Sequence, residues 1–496
     1  MTSTDSQGGP GARPAQMQEH HGKAVALALA AAVGGFLFGF DSSVINGAVS
    51  AIQGQYELSS FVIGFVVAIA LLGSAVGAWF AGPLADRIGR TRVMLVAAVL
   101  FLASALGSGF AVSPWDLTVW RVVGGVAIGI ASVIAPAYIA EIAPSKIRGR
   151  LASFQQLAIT LGIFAALLSS AFFAGAADGG AEGTFAGLDT WRWMLLAEAV
   201  PAVVFGVLAL LIPESPRYLV ASGQPRKAVA VLRDSLHARN PERLVEAVRR
   251  SLQREERPSM ADLRGPRLGL QPIVWTGIVL SVLQQFVGIN VIFYYSTTLW
   301  QSVGFDEGDS FTISVGTAVL NVLVTFIAVA FVDKVGRRKL LMAGSLGMVA
   351  GLGAVTVAFT QAAVVPGTED VSLSGVWGPV ALVGANLFVI AFGASWGPVV
   401  WVLLGEMFPN RIRAAALAVA ASAQWAANFV ITVTFPVLSQ DVSLWATYLL
   451  YTTFAALSFF FVRSKVPETN GVDLEDMGVD PAQALARSRQ GADPVG

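Results

Sequence analysis

FVIGFVVAIALLGSAVGAWFAGPLADRIGRTRVMLVAAVLFLASALGSGF, residues 61–110, holds two long apolar runs joined by a turn rich in arginine. Each run approaches the roughly 20 residues that a helix needs to cross the hydrocarbon of a bilayer. Neither alternates between apolar and polar side chains, so the strands of a membrane barrel, about 10 residues long and alternating, are excluded. Runs of the same kind lie near 24–47, 61–84, 93–112, 118–143, 151–175, 193–213, 272–300, 311–332, 340–363, 377–405, 412–436 and 443–463. With 55% of its 496 residues apolar and only 13% charged, the chain reads as an all-α membrane protein of twelve transmembrane helices.

The polar segments divide it. Residues 1–23 are expected to be a disordered tail, 24–213 a first six-helix bundle, 214–271 a charged linker, 272–463 a second bundle and 464–496 a second tail. Within the linker, QPRKAVAVLRDSL and PERLVEAVRR read as short helices, and its basic surface suits lipid headgroups. The amino-terminal tail lacks the charged and apolar regions of a cleavable signal, so the first span is expected to act as the insertion signal. Nearly all Lys and Arg fall in the tails and after even-numbered spans, Arg192 and Arg121 being exceptions. That bias puts both termini in the cytoplasm. The chain has no Cys, its three His stand at 20, 21 and 237, and it has no phosphate-binding loop or metal-spaced acidic cluster. No enzyme chemistry and no cofactor are expected from it.

Three motifs occur twice in the same order. ADRIGRTRVM (85–94) returns as VDKVGRRKLL (332–341), AEIAPSKIRGR (140–150) as GEMFPNRIRAA (405–415), and IPESPR (212–217) as VPETNG (466–471). Internal repeats in transporters mark two bundles that move about a central site. In the first motif an Asp can accept from backbone or Arg donors, and Gly89 or Gly336 permits a tight turn. Asp86, Arg87, Arg90, Glu141, Arg148, Glu214 and Arg217 are thus expected to form one cytoplasmic charge network, and Asp333, Arg337, Arg338, Glu406 and Arg413 its counterpart. The pairs Glu141/Arg148 and Glu406/Arg413 are candidates to join helices. A network made in one conformation and broken in another would be a latch.

Taken with these loops, R-x-x-x-G at 121–125, P-x-Y-x-A-E-I-A-P-x-x-x-R-G at 136–149, P-E-S-P-R at 213–217, Q-Q-x-x-G-x-N at 284–290 and the closing P-E-T make the chain resemble the sugar porter family of the major facilitator superfamily. The similarity spans about 24 to 470. It implies two pseudo-symmetric six-helix bundles, alternating access and a monosaccharide substrate.

A sugar carries many hydroxyls and apolar C–H faces, so its site needs amides and aromatics. Gln155, Gln156, Gln284, Gln285, Asn290, Asn321, Asn386, Gln424 and Asn428 lie inside apolar runs. Gln156 and Thr160, like Gln424 and Asn428, are four apart and share a helix face. Gln284 and Asn290 would point about 120° apart on an unbroken helix, so a shared cavity requires a break near Gly288. Gly393, Gly397 and Pro398 suggest a second break in the tenth span. The resemblance assigns sugar contacts to Gln156, Gln284, Gln285, Asn290, Asn321, Trp401 and Gln424, with Trp425 and Asn428 nearby, and an outer gate to Tyr294 and Tyr295. Trp396 falls outside that set and reads as a packing or interfacial residue.

Asp41 lies near the middle of an apolar segment, where a carboxylate costs about 2.5–3.5 kcal/mol on insertion scales and is usually functional. Arg121 is the one basic residue placed inside a span, and the resemblance pairs it with Asp41. Low dielectric and a nearby guanidinium act oppositely on a carboxyl's proton affinity. Movement of Arg121 relative to Asp41 would therefore couple protons to conformation. The expected function is symport of a monosaccharide, glucose first, with protons across the cell membrane, by a monomer embedded in the lipid bilayer and without nucleic acid. A passive uniporter, or a symporter of xylose, galactose or a polyol, shares most of these features. The short tails argue against a sugar sensor, and the amide-rich seventh and eleventh spans argue against a drug antiporter.

Overall fold

The computed structural model describes residues 15–143, 147–236, 240–254, 260–266, 268–364, 371–409 and 412–468. Among the described residues eleven helical runs are long and apolar enough to cross a membrane. The last, Ala415–Lys465, is 51 residues long and contains two spans, which makes twelve. We number them α1 (Ala15 through Gln55), α2 (Ser60–Ile88), α3 (Arg90–Gly109), α4 (Pro114–Ile142), α5 (Arg148–Ala176), α6 (Thr190–Leu211), α7 (Pro272–Gln301), α8 (Glu307–Val335), α9 (Arg337–Thr360), α10 (Trp377–Met407), α11 (Arg413–Pro436) and α12 (Leu444–Lys465).

The ends of these helices are written in the sequence, differently at the two faces. At the face away from the termini, side chains cap them locally: Ser113 accepts from the Asp116 amide at 3.2 Å, Asp306 from the Asp309 amide at 2.7 Å and Ser443 from the Ala446 amide at 3.2 Å. At the face that carries the termini, α2–α3 and α8–α9 turn on single glycines, Gly89 at φ 99° and Gly336 at φ 93°. Only glycine adopts that conformation without strain. The amides that open α3 and α9 are then capped from far along the chain. Glu214 accepts from the Arg90 amide at 2.9 Å and the Thr91 amide at 3.3 Å, and Glu468 from the Arg337 and Arg338 amides at 3.0 and 3.1 Å.

Within the first half α2 packs along α4 and α1 along α5, through seams where glycines let backbones touch. Between the halves the main contacts are α2 with α11 and α5 with α8. Three helices are interrupted. α6 loses its helical pattern at Ala197–Glu198, where Pro201 has no N–H for the Ala197 carbonyl. α7 breaks at Val287–Gly288, with Gly288 at φ 82°, and α10 at Ala394–Ser395, where Pro398 plays the part of Pro201. The breaks anticipated in α7 and α10 are therefore present, whereas that in α6 was not foreseen.

Two boundaries need correction. Helix α1 starts at Ala15, inside the 1–23 segment expected to be disordered: AQMQEHHGK contains no proline, and its one glycine, Gly22, does not stop the helix. The expected tail 464–496 is structured as far as Glu468, whose carboxylate caps α9; residues 1–14 and 469–496 lie outside the described residues. The linker forms short helices at Pro216–Ala221, Pro225–Ala230 and Pro241–Arg254, joined over a small core of Leu219, Ala228, Leu232 and Val245.

Replacing Glu468 with Ala removes the cap of α9 and is expected to lower stability by about 1–2 kcal/mol. Thermal unfolding in detergent should show a lower midpoint for Glu468→Ala than for Glu468→Gln, whose amide oxygen still accepts.

Candidate functional site

The deepest polar cluster joins three helices of the first half. Asp41 on α1 and Arg121 on α4 have side chains 0% and 4% exposed, and the Arg121 NH1 donates to Asp41 Oδ1 at 2.5 Å and to the Asp41 carbonyl at 3.3 Å. The pairing expected between them is present. A third member was not read from the sequence: Glu198, at the break in α6, is 3% exposed and buried beside the Asp41 side chain. Two carboxyl groups thus face a single guanidinium, one more than its charge can balance. The signal was available, a lone acid in WMLLAEAVPAVV three residues before a proline. From the second half, Tyr294 on α7 is buried near Ser42 and Asn428 and lies in the field of Asp41 and Arg121. A polar chain thus runs from the ion cluster to an amide of α11.

The amides gather about the helix breaks. Asn290 Nδ2 donates to Gln285 Oε1 at 2.6 Å across the break of α7. Gln284 Nε2 donates to the Trp396 carbonyl at 2.8 Å, in the first turn of the helix that resumes after the break of α10, and its Oε1 has no protein donor. Asn321 of α8 is buried beside Gly393 of α10. On α11 the Gln424 Oε1 is also buried without a protein donor, Trp425 lies 5.9 Å from the Phe38 ring of α1, and Asn428 accepts from Thr432 at 3.2 Å. Gln156 on α5 is half-buried, while its neighbour Gln155 is buried with an unpartnered Oε1. Buried amide oxygens lacking donors are costly unless something brings hydroxyls to them. Asn386 differs: it accepts from Thr317 at 3.1 Å and donates to the Leu382 carbonyl at 2.9 Å, joining α8 to α10. Trp396 is fully buried and donates to Ser345 at 3.0 Å, a packing role, whereas Trp401 is 44% exposed.

At the face away from the termini the halves are shut. Tyr294 and Tyr295 are buried there, Tyr295 donating to the Thr432 carbonyl at 3.1 Å and lying 5.0 Å from the Phe435 ring. Asn46, five residues after Asp41 and fully buried, donates to the Phe293 carbonyl and Ser296 Oγ at 2.8 Å and accepts from the Thr297 amide at 3.1 Å. Its place in α1 did not distinguish it in the sequence. Ser60 donates to Asp441 at 2.8 Å and the Ala181 amide to Glu307 at 2.7 Å, closing the α2–α11 and α5–α8 seams.

At the termini-bearing face the charged motifs form two separate networks. Arg90 lies 3.1 Å from both Asp86 and Glu141, Arg217 lies 3.9 Å from Glu141, and Ser215 also donates to Glu141. In the second half Arg337 binds Glu406 through two hydrogen bonds, at 3.1 and 2.8 Å. Arg338 donates to the Arg463 carbonyl and Arg413 to the Phe408 carbonyl, while Arg87 is exposed. The described partners of Glu141 are thus Arg90 of the glycine turn, Arg217 and Ser215, and Glu406 pairs with Arg337 of the second glycine turn while Arg413 turns to the Phe408 carbonyl. The glycine turn aims its arginine directly at the neighbouring helix end. The side chains of Arg148 and Asp333 lie outside the described residues. These described pairs stay within one half each, so in this conformation they brace the halves singly.

The sequence model of the family described as "Sugar (and other) transporter" matches residues 27–480. The chain is 53% identical over 469 residues to a glucose transport protein of Synechocystis sp., covering 94% of this chain and 100% of that one. It is 36% identical over 487 residues to the D-xylose-proton symporter of Escherichia coli, covering 91% and 94%. Among solved structures, the inward open conformation of the E. coli xylose transporter superposes with a TM-score of 0.77 at 33% identity, covering 92% and 99%.

Removing the Asn46 amide deletes several hydrogen bonds between the halves, each worth about 1 kcal/mol. Spin-label distances across the α2–α11 seam should show Asn46→Ala opening this face, its population rising by about tenfold or more.

Proposed function

We propose that this chain, which belongs to the sugar (and other) transporter family, imports a monosaccharide, glucose first, together with a proton. It is a multi-pass membrane transporter rather than an enzyme. The orientation follows the basic residues: the termini-bearing face is cytoplasmic, so the conformation described here is closed outside. The monomer holds both halves and the whole path between them.

The sugar lies among Gln156, Gln284, Gln285, Asn290, Asn321, Gln424, Trp425 and Asn428, with Trp401 closing over it from α10. Its hydroxyls donate to the amide oxygens that no protein group serves, Gln284 Oε1 and Gln424 Oε1 first. Glucose is favoured by the relative of highest identity quoted above, while the xylose symporter offers the nearest competing substrate.

One observation carries the proton coupling: a buried Asp41–Arg121–Glu198 cluster with two carboxyl groups for one guanidinium, linked through Tyr294 to Asn428 in the other half. Such a cluster can take up one proton without leaving an unpaired charge in hydrocarbon. With Asp41 protonated, Arg121 loses part of its partner, and the α1–α4 contact is free to change as the outer face opens. Release to the cytoplasm restores the pair. The sugar acts on the same equilibrium through Tyr294 and Asn428, so each substrate favours the conformation that the other needs.

Proteoliposomes with an imposed pH gradient test this reading. Wild type should concentrate radiolabelled glucose and acidify the lumen, while Asp41→Asn should still exchange glucose but accumulate less than a tenth as much. If wild type only equilibrates glucose and moves no protons, the cluster is structural and the protein a uniporter.

A further inference from the structure

The two carboxyl oxygens of Asp41 have different surroundings. Oδ1 takes the Arg121 hydrogen bond, whereas Oδ2 is buried and receives no N–H or hydroxyl donor from the protein. The space beside Oδ2 is left by Gly124, one turn along α4 from Arg121. A Cβ on Gly124 would lie 2.5 Å from both Asp41 Oδ2 and Ser104 Oγ, so the two oxygens are at most 5.0 Å apart in one niche. Ser104, on α3, is 1% exposed, and its hydroxyl hydrogen goes to the Trp120 carbonyl at 2.9 Å. What Ser104 offers the niche is therefore its lone pairs. Lone pairs repel an ionised carboxylate oxygen and accept from a protonated one.

We propose that Asp41 carries its proton on Oδ2 and that Ser104 is the positioning residue that accepts from it, in a niche kept open by Gly124. The inference rests on the symporter reading above. The charged and titratable groups that also face Asp41 are Arg121 from α4, Glu198 from the break of α6 and Tyr294 from α7. The step is a simple protonation. A proton from water on the outer side forms the Oδ2–H bond and neutralises the carboxylate; on the inner side that bond breaks and the proton returns to water. The Ser104 O–H bond is unchanged throughout. Because Arg121 holds Oδ1, the proton can be seated without displacing the guanidinium first.

The test compares purified full-length wild type, Ser104→Ala, Ser104→Thr and Glu198→Gln in proteoliposomes, measuring proton-driven glucose accumulation and glucose counterflow from pH 5 to 9. Loss of one accepting hydrogen bond should move the half-maximal pH of accumulation in Ser104→Ala to lower pH by about 0.5–1 unit. Counterflow should move less, and Ser104→Thr should restore the wild-type profile. A Ser104→Ala profile that coincides with wild type overturns the proposal, whether or not Glu198→Gln is shifted. So does a parallel fall in accumulation and counterflow, which would make Ser104 a packing residue of the α3–α4 contact. A wild type without proton coupling fails at the symporter reading itself, and is recognised without any variant.

Discussion

Hydrocarbon offers no hydrogen bonds, and the architecture of this protein follows from how each polar group inside the membrane finds another. Breaking a transmembrane helix frees backbone carbonyls and amides that water cannot serve. Beside the break in α10 stands Gln284, an amide from α7 that donates to the Trp396 carbonyl in the first turn of the resumed helix. The break in α7 carries its own internal tie, Asn290 to Gln285. The break in α6 brings Glu198 to Asp41. Each departure from regular helix is therefore bound to a polar residue on a path through the middle of the protein. Packing makes the tube; these ties fix where a polar solute can stand inside it.

The two halves share a plan and differ where function requires. Glycine turns at 89 and 336, arginines at 90 and 337, and carboxylates at 141 and 406 occupy matching places, and the caps Glu214 and Glu468 complete both sets. Inside the bundles the correspondence ends. The first half holds the ion cluster, while most of the amides and two of the three broken helices belong to the second. A duplicated scaffold thus holds a charge site on one side and an amide-rich region on the other, with Tyr294 and Asn428 lying between them.

Much of this was legible in sequence because membrane insertion leaves coarse marks. Span length, the placement of Lys and Arg and the repeated motifs depend on local composition, and most helices appear within a few residues of where the apolar runs put them, α1 extending well beyond its run at both ends. Asp41 and Arg121 stood out for the same reason, being charges where charges are expensive. Glu198 carried the same mark and was passed over because it lies close to the start of its apolar run. Asn46 could not have been singled out: its importance lies in facing Phe293, Ser296 and Thr297, a contact set by the docking of the halves and not by its neighbours in sequence. The pairing of Arg90 with Glu141 and of Arg337 with Glu406 likewise depends on the aim of a glycine turn, which sequence spacing does not give.

The carboxylate caps at 214 and 468 also define what was duplicated. Each belongs to the strap that leaves the sixth helix of its half, and each secures the start of the third helix of that same half. The heritable unit is thus six helices plus a short acidic strap, and a half cut at the end of its last helix would lack the group that closes its own inner turn. A two-chain version of this protein should be divided beyond Glu214, within the linker, so that each fragment leaves the ribosome with its fastening attached.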